Sequence, residues 1–100
     1  MNRVIIAAVA ATIAAPVLAQ GTGGVILSNP EFEGGFVNNG QCTSALAKVR
    51  NEQRLNPEKR GDDYKTLSAS EFQKESLRTT RCEQVDGKFR VVFYVNGIPG

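Results

Sequence analysis

Cys42 and Cys82 are the side chains in this sequence of 100 residues with the widest choice of chemistry, and their surroundings narrow it. They lack the CxxC spacing of a redox or zinc site, and the chain has no His to complete a metal shell. A single structural disulfide is the expected use of the pair in an oxidising compartment. The absence of His also removes a His general base and a Ser-His relay. There is no GxxxxGK[ST] and no GxGxxG, so phosphate-loop and dinucleotide readings have no support. Asp62 and Asp63 lack the oxygen ladder of an EF-hand loop. Glu71 and Glu75 stand one helical turn apart, as a carboxylate pair would, but Lys74 and Arg78 follow them at i+3 and make them surface charges. A small secreted enzyme using a carboxylate pair is thus the third reading, and no cofactor or metal is expected.

The basic residues offer a second chemistry. Lys48, Arg50, Arg54, Arg81, Lys88 and Arg90 form a candidate basic face for an anionic polymer such as nucleic acid or acidic glycan. Lys59 and Arg60 would extend the helical part of it, but Glu52, Glu58, Asp62 and Asp63 interrupt the run and favour a solvated face. The net charge of +2 also argues against a nucleic-acid binder. Arg60-Gly61-Asp62 matches the tripeptide that integrin ligands display, and is read as three common residues in a charged loop.

The element that must position these residues is a C-terminal β-hairpin. Runs rich in Thr, Val, Phe and Tyr flank Asp86-Gly87, a dipeptide suited to a two-residue turn with φ > 0. That turn places Cys82 opposite Val91, Glu83 opposite Arg90 and Thr80 opposite Phe93. Phe89, Val91, Phe93 and Val95 then share the inner face with Cys82, while Arg81, Glu83, Lys88 and Arg90 share the outer one, with Glu83 and Arg90 as an opposed charge pair. A helix is expected from about Gln41 to Leu55, capped by Asn39 or Gly40 and stopped by Pro57, with Cys42, Ala45, Leu46 and Val49 as its buried stripe. A second helix starts at the capping box Ser68 to Glu71 and ends near Arg78. A hairpin alone is marginal in water. The expected fold is therefore α+β, with two short helices packed on the hairpin, one disulfide, and residues 32–37 as a candidate third strand beside it.

Residues 1–19 carry the features of a cleaved signal peptide. Arg3 gives a basic start, Val4 to Ala15 an apolar core of twelve residues, and Val17-Leu18-Ala19 a small-residue cleavage site. Twelve residues cannot cross a hydrocarbon core that needs about 20. Export to the periplasm or out of a bacterial cell is expected, with no transmembrane segment in the mature chain. Fifteen of the 41 hydrophobic residues lie in this leader, so the remainder supports one small domain that needs a staple. Gly21, Gly23 and Gly24 mark residues 20–31 as a flexible segment, leaving 32–100 as the folded unit. The functional expectation is a small exported interaction module that binds a protein or envelope component without catalysis. The alternative is a binder of anionic polymers.

Overall fold

Asp86 and Gly87 have φ values of 52° and 82°, the pair of left-handed conformations that a type I′ hairpin turn requires. The turn joins β2 (Thr80–Val85) to β3 (Lys88–Phe93), and the register pairs Thr80 with Phe93, Cys82 with Val91 and Glu83 with Arg90, as the turn chemistry dictates. The computed structural model describes residues 23–99, so the signal peptide expected at 1–19 and its expected cleavage site lie outside the described residues. The remaining elements are β1 (Val25–Ile26), α1 (Asn39–Leu55) and α2 (Ala69–Thr79), with short 3-10 turns at Pro30–Phe32, Pro57–Lys59 and Asp62–Tyr64. Two helices thus pack on a three-stranded antiparallel sheet of order β1-β3-β2.

The third strand is not a run within 32–37. Val25 and Ile26 pair with Phe93 and Val92, and the Leu27 N–H continues the ladder to the Val91 carbonyl at 2.8 Å. Residues 25–27 therefore belong to the sheet rather than to a flexible segment. Farther along the same edge, Phe36 makes a single antiparallel bridge to Phe89, while Phe32 is buried. β3 is the central strand because both of its edges are occupied.

α1 begins two residues before Gln41. Asn38, rather than Asn39 or Gly40, is the cap, and its side chain accepts the Gln41 N–H at 2.8 Å. Cys42, Leu46 and Val49 form its buried stripe and meet Phe32 and Val91 in the main core. Cys42 is bonded to Cys82 with the Cα atoms 6.2 Å apart, which fastens α1 to the inner face of β2. At α2, the Glu71 N–H donates to Ser68 Oγ and the Ser68 N–H donates to Glu71 Oε1, completing the capping box.

The outer face of the sheet carries a second apolar cluster beside its charged residues. Val85, Val92 and Tyr94 are buried there, with Ile26 and Ile98 packed against them. The chain after β3 folds back, the Ile98 N–H donating to the Arg78 carbonyl at 2.8 Å. Gly24 approaches the same face so closely that a Cβ on it would lie 2.8 Å from Tyr94 Cζ. Val95, expected inside, is 72% exposed because β3 ends at Phe93 and the chain turns away.

Arg60 closes the lower end of α1. It is 4% exposed and donates to the carbonyls of Gln53, Arg54, Tyr64 and Leu67 at 2.6 to 3.0 Å. Two of those are orphan acceptors of the last helical turn. The Arg60 guanidinium is therefore enclosed, and Arg60-Gly61-Asp62 is not displayed as a recognition tripeptide.

Candidate interaction site

The six basic residues of the candidate face do not form one surface. Lys48 pairs with Glu31 at 3.3 Å on the exposed side of α1. Arg81, Lys88 and Arg90 alternate onto the sheet face turned away from the helices, because α1 is bonded to the opposite face through Cys82. Arg81 donates to Glu83 at 2.7 Å and lies 5.5 Å from the Tyr94 ring centre. Glu83 stands opposite Arg90 in the register, but its carboxylate takes Arg81 and the Tyr94 hydroxyl as partners. The expected pair with Arg90 is replaced by a contact two residues along the same strand. Arg90 keeps its Nε buried and unbonded, and burial lowers its pKa.

Only Arg50 and Arg54 converge. They lie one turn apart on α1 and border a hollow of about 600 Å³ between α1 and α2, where Ala47, Ala69 and Leu77 supply apolar surface and Asn51, Ser70 and Gln73 complete the wall. Arg50 is held by the end of α2: its Nε donates to Ser76 Oγ at 3.0 Å and its Nη2 to the Thr80 carbonyl at 2.7 Å. Burial lowers its pKa too. Arg54 donates through Nη2 to Asn51 Oδ1 at 2.7 Å. The i, i+4 spacing of these two cations is visible in the sequence, but the wall that α2 builds beside them is not.

A second hollow on the other flank of α2 is bordered by Asp63, Tyr64, Leu67, Glu71, Lys74 and Glu75. Its two helical carboxylates are already committed. Hydrogen bonds from Ser68 hold Glu71 below its ordinary pKa, and the Arg78 guanidinium does the same for Glu75 through contacts of 2.9 and 3.0 Å. Both are pushed away from the raised pKa of a general acid. Among the described residues no cluster of three or more His, Cys, Asp and Glu is placed to hold a metal ion.

The remaining feature is the outer edge of β2. In an antiparallel ladder only alternate residues of an edge strand turn their backbone groups toward the neighbour. The Tyr94 N–H donates to the Thr79 carbonyl, so Thr79, Arg81, Glu83 and Val85 face β3, and Thr80, Cys82 and Gln84 face outward. Thr80 is satisfied within the fold, because its N–H reaches the Ser76 carbonyl and its carbonyl accepts Arg50. The outward N–H and C=O of Cys82 and Gln84 have no backbone partner among the described residues. β2 keeps the open edge of the hairpin because β1 takes the other side of β3. No helix among the described residues is long and apolar enough to cross a membrane. No family model, no curated protein and no solved structure matches the chain.

Proposed function

We propose that this chain is a small exported, disulfide-stapled module that binds a protein or envelope component without catalysis, by taking up a partner strand along the outer edge of β2. The observation that carries the reading is the outward backbone N–H and C=O of Cys82 and Gln84, which have no backbone partner among the described residues. Edge strands are ordinarily blunted by Pro, bulges or inward charges, and an open one is a template for strand addition. β2 has no Pro and pairs with β3 without interruption over all six of its residues. Its position is held by the bond from Cys82 to α1, so the edge is ordered before a partner arrives. Export rests on the leader at residues 1–19 and on a disulfide that suits an oxidising compartment. The scatter of the basic residues over α1 and the far sheet face disfavours the polyanion alternative.

The test is site-directed photo-cross-linking in cells, with the reactive residue at Gln84 and, as a control, at the exposed Glu58. The reading requires mature protein lacking residues 1–19 in the exported fraction and a discrete adduct from position 84 alone. Retention in the cytosol, or identical adducts from both positions, would remove it.

A further inference from the structure

The hollow between α1 and α2 has a charge arrangement that the fold leaves unbalanced. Arg50 spends its Nε and Nη2 on neutral oxygens of Ser76 and Thr80, and neither it nor Arg54 has a carboxylate partner among the described residues. Among the described residues Arg50 Nη1 has no hydrogen-bond partner, and it is not a fully buried unpartnered atom, so it keeps some contact with solvent. Arg54 uses only Nη2, on the neutral amide of Asn51. No acidic side chain among the described residues borders the hollow. Like charges one turn apart destabilise a helix, and an anion seated between them relieves that repulsion.

We propose that this hollow is a carboxylate-recognition site for an acidic segment of a protein partner. The carboxylate is held between Arg50 and Arg54, and an adjoining apolar side chain of the partner rests on Ala47 and Leu77. This surface is separate from the β2 edge, and its assignment does not depend on strand addition there.

Three features favour a single acidic residue of a peptide as the occupant. The two guanidinium groups are separated by four residues, a rise of about 6 Å along the helix, which suits one carboxylate and its neighbour rather than a run of phosphates. Leu77 is 53% exposed, and apolar surface beside two cations matches an acidic residue with an apolar neighbour. The hollow on the far flank of α2 is bordered by Asp63 of the preceding turn and by Glu71 and Glu75 against the single cation Lys74, so its net negative charge repels a polyanion that continues past the first hollow. Arg50 is also pre-organised by its bonds to Ser76 and Thr80, so little side-chain freedom is lost when a carboxylate binds its open edge.

The experiment uses the disulfide-intact protein, produced from the full sequence, and two probes, N-acetyl-Leu-Glu-Leu-amide and the same peptide with Gln in place of Glu. Binding is followed by the NMR resonances of the arginine Nε–H groups and of the α1 and α2 backbone amides. The Glu peptide should move the Arg50 and Arg54 signals in a saturable way, and the Gln peptide should bind about tenfold more weakly or worse. Arg54→Gln, a side chain outside the core, should keep the spectrum dispersed and lose the same factor, whereas Lys88→Gln should bind as the parent does. Equal binding of the two peptides, no effect of Arg54→Gln, or shifts centred elsewhere would overturn the assignment. Steeply salt-dependent binding of a heparin oligosaccharide or an oligonucleotide to the same two arginines, tighter than the Glu peptide, would also overturn it in favour of a polyanion.

Discussion

The Arg60 guanidinium carbon lies 4.5 Å from the centre of the Phe72 ring, so a buried cation of the loop covers the one large aromatic side chain of α2. The same guanidinium holds four backbone carbonyls, two from the end of α1 and two from the loop that leads to α2. Arg60→Ala leaves those acceptors without their donor and removes the cation from the ring. The expected loss is about 3 kcal/mol, the scale of charged hydrogen bonds to buried acceptors. Arg60→Lys should recover only part of it, because an ammonium lacks the planar fork that reaches four oxygens. The midpoint of urea unfolding reads both effects, and an unchanged midpoint for Arg60→Ala would mean that Arg60 does not close the helix.

The Cys42–Cys82 bond makes its own prediction. It closes a loop of about 40 residues, and the chain-entropy account assigns such a bond roughly 4 kcal/mol. Reduction, or replacement of both cysteines by Ser, should therefore lower stability by about 4 kcal/mol or less. Alkylation followed by mass spectrometry on the protein isolated from its native cells without reductant should find no free thiols, and free thiols there would sink the link between α1 and the sheet.

What is legible in the sequence is what local chemistry dictates. Asp86-Gly87 sets a turn with two positive φ values and hence the pairing of β2 with β3, while Ser68 and Glu71 set the start of α2. Cys42, Leu46 and Val49 declare the buried side of α1 by spacing alone. The misses depend on contacts distant in the chain. Val91-Val92-Phe93-Tyr94 is a continuous apolar run, and period-two reasoning assigns one face inward without showing that Ile26 and Ile98 cover the other. Val25–Ile26 is too short to declare itself and becomes a strand only because β3 presents an edge to it. The burial of Arg60 has no local signature, since its four acceptors come together only when α1 and the following loop are in place. The candidate site divides in the same way: the Arg50 and Arg54 spacing is readable, but the wall formed by Ala69, Gln73 and Leu77 is tertiary.

The turn offers a test that separates backbone strain from packing. A Cβ on Gly87 would meet nothing within 4 Å, so replacing this residue changes the turn's conformational cost and little else. At a φ of 82°, Gly87→Val should cost about 2 kcal/mol, near the upper end for an L-residue in left-handed backbone. Gly87→Asn should cost clearly less, because Asn tolerates that region. Equal melting temperatures for the Val and Asn variants would mean that φ at position 87 is not what limits the turn.

The capping box at the start of α2 should make stability depend on pH in a direction that follows from Glu71. The Ser68 hydrogen bonds favour the ionised carboxylate and lower its pKa below the ordinary value of 4.5, with Lys74 adding a smaller push in the same direction. A depressed folded-state pKa means that the unfolded chain binds the proton more readily as the pH falls. The stabilisation is thus fully present above 4.5 and is lost as the pH falls through the lower folded-state value. Glu75, lowered by Arg78, acts in the same window and sense. Glu71→Gln keeps an oxygen able to accept the Ser68 N–H but removes the charge beside the helix N-terminus. The variant should be less stable than the parent at neutral pH and show a shallower acid limb, and the difference between the two proteins should shrink as Glu71 becomes protonated in the parent. Thermal melts across the acid range read this directly; parallel curves for the two proteins, with a constant offset down to the lowest pH, would mean that the charge on Glu71 contributes nothing to the cap.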